Sequence, residues 1–277
     1  MIVQHNMTSL NANRQLGITN KKLATSTEKL SSGYRVNRAA DDAAGLSISE
    51  KMRGQIRGLN QASANAQDGQ SLIQTAEGAL GEIHSVIQRM RELTVQASND
   101  TNVTGDRKAI SLELQALSSE IDRIASQTEF NTMKLLNGKF TDKAFQVGAN
   151  TSQMIVFSIS AMTTSALGIK VVDIAGKVSN AAHGADITNL ISIVNRALST
   201  VSLQRSKLGA LQNRLDHTIA NADNMAENVQ ASESKIRDVD MAKEMVVYSA
   251  QSILQQAGQS MLAQANQATQ GVLSLLR

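Results

Sequence analysis

The chain of 277 residues contains no cysteine and no proline. Without cysteine it can build neither a disulfide framework nor a thiolate site, and it can move between redox compartments without cross-linking. Average usage would place about 14 prolines in this length. With none, nothing interrupts a helix by force and no prolyl isomerisation delays folding. Aromatic side chains are scarce: Phe130, Phe140, Phe145, Phe157, Tyr34 and Tyr248 make up the whole set. A globule of this size would lack its large core fillers, so the buried volume is expected to be aliphatic and thin. No apolar run approaches the roughly 18 residues of a membrane span. Met1 to Leu16 holds no hydrophobic block of the signal-peptide kind, so export would use a route without a cleaved signal peptide.

Catalytic and cofactor signatures are also missing. His5, His84, His183 and His217 stand more than thirty residues apart, without the H-E-x-x-H spacing of a zinc site. No phosphate-binding glycine loop is present; Gly138 and Lys139 form an isolated pair in a turn. The expectation is no enzyme, no metal and no cofactor. Net charge is only +3, yet residues 1 to 60 hold nine Lys or Arg against four acids. A basic coiled-coil nucleic-acid binder is therefore one reading. Against it, Arg35, Arg38, Arg53 and Arg57 alternate with Asp41, Asp42 and Glu50, and no aromatic platform accompanies them. A solvated or inter-subunit helix face fits better, with neither nucleic acid nor membrane as partner.

What the chain does have is periodicity. From Ile187 to Ile236 a 3-4 spacing runs through Ile187, Ile191, Val194, Leu198, Val201, Arg205, Leu208, Gln212, Leu215, Ile219, Ala222, Ala226, Val229, Glu233 and Ile236, about seven heptads of coiled-coil stripe. Similar stripes lie upstream at Ile73, Ala76, Leu80, Ile83, Ile87 and Met90, and at Ile110, Leu114, Leu117, Ile121, Ile124 and Thr128. Helices from opposite ends of the chain therefore need each other, and the narrow seam implies an architectural role.

The first 40 residues are polar, with Val3, Met7, Leu10, Leu16, Leu23 and Leu30 as a weak helical stripe broken at Ser31, Ser32 and Gly33. Asp41 and Asp42 are expected to cap a long helix reaching about Ser98. Thr104, Gly105 and Asp106 open another to about Thr128. The period then changes to two: Ile155, Phe157 and Ile159 share a face, with Lys143 to Val147 as partner strand and Gly148 to Thr151 as turn, a small β-hairpin. Residues 169 to 185 read as a connector, and Asp238 and Asp240 mark a joint. Met245 to Leu276 carries no charge but is dense in Gln and Ala, so it is not a membrane span. Its Val247, Ala250, Leu254, Ala257, Met261, Ala265, Ala268, Val272 and Leu275 form a further stripe. The fold expected is mainly α: a long antiparallel coiled-coil bundle of N- and C-terminal segments with a small β-hairpin region. Alone in water both ends are expected to be poorly ordered and to fold only when partners cover them.

Several runs carry a family resemblance. MIVQHNMTSLNANRQLG, SSGYRVNRAADDAAGLSISEKMRGQIRGLNQASANAQDGQSLIQTAEGAL, QRMRELTVQASND, SEIDRIASQTEFN, FQVGAN, LGALQNRLDHTIAN, SKIRDVDMAKEM and MLAQANQATQGVLSLLR resemble bacterial flagellin, the filament subunit of the flagellum. The resemblance implies an inner-core helix at 1–40 paired with 241–277. Outer-core helices follow at 41–130 and 186–240, with 131–185 standing in place of the variable outer domain. It implies a secreted subunit that polymerises with copies of itself, an export chaperone and export apparatus, and neighbouring filament-cap and hook-junction proteins. It also implies contact of Gln88, Arg89, Arg91, Glu92, Leu93 and Glu113 with adjoining subunits and with the animal toll-like receptor for flagellin. Met90 and Leu93 equally fit the helix's own stripe, and Arg89, Arg91 and Glu92 equally fit a solvated face. In the tail, Leu254, Met261, Val272, Leu273, Leu275 and Leu276 are implied in core packing and in chaperone or inflammasome contact. A hook-filament junction protein or a non-polymerising coiled-coil adaptor is the alternative.

Overall fold

The computed structural model describes residues 6–181 and 187–275, with side chains described outside 171–174 and 269–275. The elements in order are α1 (Met7–Ser32), α2 (Ala43–Ala97), α3 (Thr104–Gln127), β1 (Glu129–Phe130), β2 (Met133–Lys134), β3 (Lys143–Gln146), β4 (Met154–Phe157), α4 (Thr164–Leu167), α5 (Val171–Asn180), α6 (Thr188–Arg237) and α7 (Met241–Leu275). The chain divides into two compact units, Met1–Ile56 with Glu227–Arg277, and Arg57–Ala226. No helix among the described residues is long and apolar enough to cross a membrane.

The unit Arg57–Ala226 is built on antiparallel helices. Gln70 Nε2 donates to Asp216 Oδ1 at 3.0 Å, and Glu77 meets Gln212 at 3.3 Å and Arg205 at 3.7 Å. The α2 stripe is Ile73, Ala76, Leu80, Ile83, Ile87 and Met90, each fully buried. On α6 the seam is wider than a strict coiled-coil stripe. Val194, Val201, Leu208, Leu215, Ala222 and Ala226 are buried as expected, but Leu190, Ala197, Gln204 and Leu211 are buried in place of Ile191, Leu198, Arg205 and Gln212. Those four are only half-buried, because a 3.6-residue helix covered by more than one neighbour buries a band about 100° wide. α3 shows the same widening: Ser111, Ser118 and Ala125 are buried beside Ile110, Leu114 and Ile121, and Leu117 and Ile124 are half-buried.

The hairpin β3–β4 pairs Phe145 with Ile155 and Lys143 with Phe157. Phe157 lies 4.9 Å from Phe145 and 5.3 Å from Phe140 between ring centroids. Glycine positions in α2 give this hairpin its seat. A Cβ on Gly69 would stand 2.9 Å from the Phe145 ring, and one on Gly58 2.8 Å from Ala149 Cβ. Between them Asn65 Nδ2 donates to Gln146 O at 3.2 Å.

Three local expectations need correction. A second, two-residue strand pair, β1–β2, turns through Asn131 (φ 46°) and Thr132 (φ 63°). Positive φ at both turn positions is the twist that tight hairpins favour, but the sequence lacks the Asn-Gly that announces it. The expected connector at 169–185 contains α5, which packs on α3 through the buried Ala175 and Val178, with Ser111 Oγ donating to Ala175 O at 2.9 Å. Two glycines and small residues masked an apolar face at helical spacing; residues 182–185 of that span lie outside the described residues. Asp42 alone caps α2, accepting from Gly45 N at 2.8 Å, whereas Asp41 accepts from the amides of Arg38 at 2.9 Å and Asn37 at 3.2 Å in the preceding turn.

In the unit of the chain ends, α1 and α7 lie antiparallel. Asn6 Nδ2 donates to Ala265 O at 2.9 Å and Gln255 Nε2 to Asn20 Oδ1 at 2.9 Å. α1 ends where Gly33, at φ +75°, donates its amide to Lys29 O. Beyond it Arg35 N donates to Arg237 O at 2.6 Å and Val239 N to Gly33 O at 3.0 Å. Asp240 caps α7 through Lys243 N at 3.1 Å, which places the joint at the expected aspartates.

Candidate assembly surfaces

α7 presents two faces of different chemistry. The half-buried one mixes polar, small and apolar side chains: Tyr248, Gln251, Ser252, Gln255, Gly258, Leu262 and Ala265. It lies along α1, whose half-buried positions Ser9, Ala12, Leu16, Thr19, Leu23 and Leu30 also repeat at 3-4 spacing. Small residues allow the close approach, since a Cβ on Gly258 would sit 3.3 Å from Leu16 Cδ1. The expected apolar stripe falls on the other face as far as Met261, while Ala265, expected in the same stripe, lies on the half-buried one. Val247, Ala250, Leu254, Ala257 and Met261 are exposed, Leu254 by 54% and Met261 by 60%. Met7 and Leu10 on α1 are open as well. The stripe is thus a continuous apolar strip that this chain's own fold leaves uncovered. Of the other tail residues, the side chains of Val272, Leu273 and Leu275 and the whole of Leu276 lie outside the described residues.

The second candidate surface lies on α2 and α3. Gln88, Arg89, Arg91 and Glu92 are exposed, as is Glu113 on α3. Arg89 bridges the two helices, meeting Glu113 at 3.0 Å and Glu92 at 3.1 Å. Glu113 first, then Glu92, raises the Arg89 pKa above its ordinary value. Leu93 does not share this surface: it is 2% exposed and packs in the core with Met90. Its position on the stripe, not the charged face, decides where it points.

Two of the nine basic residues near the N-terminus, Arg38 and Arg53, form ion pairs within their own unit. Arg38 meets Glu28 at 2.8 Å, and Glu50 receives Arg237 at 2.9 Å and Arg53 at 3.1 Å. Arg237 also stacks 4.6 Å over the Tyr34 ring. Arg237 lowers the Glu50 pKa, Arg38 lowers that of Glu28, and the Arg38 and Asn37 amides lower that of Asp41. This network was not legible from charge alternation alone, because Arg237 comes from the far end of α6.

A buried cation was also missed. Arg107 is 4% exposed and donates to Ala97 O at 3.3 Å, Ala181 O at 3.2 Å and Asp100 Oδ1 at 3.1 Å. A charge standing on the apolar register of α3 was the available signal. Asp122 similarly accepts from both Thr164 N at 2.9 Å and Thr164 Oγ1 at 2.7 Å, fixing the start of α4. Among the described residues no three or more His, Asp or Glu side chains gather as a metal site. An open cleft of about 310 Å³ beside β4 and α6 is lined by Phe157, Leu208, Leu211, Lys207 and Arg214 among others.

An uncovered apolar strip on a paired terminal helix is the mark of a chain that finishes its packing with other molecules, and the comparisons say which kind. Residues 3–141 match the family described as the bacterial flagellin N-terminal helical region, and residues 191–276 the bacterial flagellin C-terminal helical region. The chain belongs to the bacterial flagellin family. It is 53% identical to a flagellin of Halalkalibacterium halodurans and 50% identical to a flagellin of Bacillus subtilis, each aligned over the full length of both chains. Its fold also resembles a flagellar hook-associated protein of Vibrio parahaemolyticus, with a TM-score of 0.63 at 12% identity, covering 72% of this chain and all of that one. As a flagellin the chain is a structural subunit of the flagellar filament, an extracellular component of the flagellum, and the junction-protein alternative is not favoured.

Proposed function

We propose that this flagellin assembles by coupled folding and packing of its terminal helices, with the exposed strip of α7 as the surface that neighbouring copies cover. The observation that carries this reading is the position of Val247, Leu254 and Met261, seven residues apart on one face and open to solvent. Burying such side chains favours association by roughly 25 cal/mol for each Å² removed from water. Contacts between different faces of identical copies propagate as a helical polymer when the rotation between copies does not close into a ring. Before assembly the same strip is an aggregation hazard. An export chaperone covering Leu254, Met261, Val272, Leu273, Leu275 and Leu276 fits that need, followed by an export apparatus. Filament-cap and hook-junction proteins would meet the two ends of the polymer.

For the second surface, Gln88, Arg89, Arg91, Glu92 and Glu113 are the side chains available to an adjoining protofilament or to the animal toll-like receptor, with Leu93 acting beneath them as packing. Seeded elongation followed by electron microscopy tests the main reading. The native chain is expected to extend short filament fragments into long tubes, and Leu254→Asn to leave the seeds short. Native-like elongation by that variant would remove the α7 strip from the interface.

A further inference from the structure

With no cysteine in the chain, the side chains open to reversible two-electron oxidation are its eleven methionines. They are unevenly placed. Met90 and Met162 are fully buried in the aliphatic core, while Met7 is 69%, Met245 49% and Met261 60% exposed. Met261 stands in line with Val247 and Leu254 on the strip described above. We infer that Met261 is a reversible sulfoxidation site through which a peroxide or hypohalous acid holds the subunit out of assembly, with Met7 and Met245 as further exposed thioethers of the same unit that the oxidant reaches. The inference rests on the reading of that strip as an interface between copies.

In the forward step a lone pair of the thioether sulfur attacks the peroxide oxygen. The S–O bond forms as the O–O bond breaks, sulfur loses two electrons and the peroxide leaves as water. A thiol-dependent sulfoxide reductase returns the thioether, its thiols ending as a disulfide with the oxygen released as water. The product is a polar, chiral side chain. In the free subunit the new oxygen is solvated and costs little. On assembly it must enter an apolar contact without a hydrogen-bond donor, and an unpaired buried polar group is expensive. The same exposure that makes the strip competent for assembly therefore makes it the part of the subunit an oxidant reaches first. Once neighbours cover it, the polymerised subunit is protected.

The test uses the full chain. Purified subunits are treated with hydrogen peroxide, mapped by peptide mass spectrometry and added to filament seeds. Met7, Met245 and Met261 are expected to gain oxygen well before Met90 and Met162. Elongation is expected to slow about ten- to a hundredfold, as burial of an unpaired oxygen at each contact would require, and to recover after treatment with a methionine sulfoxide reductase. Met133, Met154, Met225 and Met241 are also exposed, so a chain carrying Met7→Leu, Met245→Leu and Met261→Leu separates the sites. It is expected to elongate alike before and after peroxide. Unslowed elongation by the oxidised native chain overturns the inference, as does retained peroxide sensitivity in the triple variant. Failure of the untreated native chain to elongate overturns the assembly reading itself.

Discussion

The two compact units spend their apolar residues in opposite ways. In Arg57–Ala226 the 3-4 positions of α2, α3 and α6 converge, and Ile73, Leu80, Ile83, Ile87 and Met90 show no exposed surface. In the unit formed by the chain ends, α1 buries only Ser26 fully, and Met7, Leu10, Ile18, Val246, Ile253, Leu254 and Met261 stand in water. The helices are comparable in periodicity; what differs is whether the partner for the apolar face is in the same chain. The first unit carries its own core. The second pairs its two helices through a half-buried face in which Leu16, Leu23, Leu30 and Leu262 alternate with small and polar residues, and leaves a further apolar strip open, so its stability is expected to depend on concentration and assembly while that of the first is not.

The largest expected effect that sharpens this contrast is a core truncation. Leu80→Ala should cost about 2–5 kcal/mol, seen as a lower urea midpoint of the unit Arg57–Ala226. Leu254→Ala, an equally apolar change on the open strip, should leave the monomer within about 0.5 kcal/mol of native while slowing elongation. Next comes Arg107→Met, which strands the carbonyls of Ala97 and Ala181 and should cost about 1–3 kcal/mol by the same measurement. At the hairpin seat, Gly69→Val drives a branched side chain into the Phe145 ring and should cost about 1–3 kcal/mol. Gly78→Ala meets no atom within 4 Å and should instead gain about 0.5–1 kcal/mol of helix propensity.

The smallest effect concerns acid. Glu50, Glu28 and Asp41 have pKa values lowered in the folded chain, chiefly by Arg237, Arg38 and the Arg38 amide respectively. A carboxylate with a depressed folded pKa stabilises above its unfolded value, and that contribution is lost as pH falls through the folded value. The contacts of Glu28 with Arg38, of Asp41 with the turn before α2 and of Glu50 with Arg237 should therefore weaken as pH drops below about 4, before the aliphatic core of the other unit responds. Far-ultraviolet circular dichroism during acid titration would follow the transition. Glu50→Gln should remove the Glu50 part of the transition and leave the rest.

Helix positions and the hairpin were legible because their signals are local: a 3-4 rhythm, a Gly at a helix end, a period of two across Ile155, Phe157 and Ile159. The depth of the seam was not, because the number of neighbours around α6 decides whether Leu190 or Ile191 is covered, and one helix's pattern does not encode that number. The same reason hides Arg107 and Arg237, whose partners lie on other elements. The tail stripe at Val247, Leu254 and Met261 was visible as a pattern. That it stays open follows from the competing positions one residue further on, Tyr248, Gln251, Gln255, Gly258 and Leu262, which are the half-buried ones along α1.

Hydrogen exchange measured on the monomer and on the filament tests the central claim most directly. The account predicts that amides in the described parts of α1 and α7 exchange fast in the monomer and slowly in the filament, while those of α2 around Leu80 and α6 around Leu208 are slow in both. Equal protection of α1 and α7 before and after assembly would contradict it.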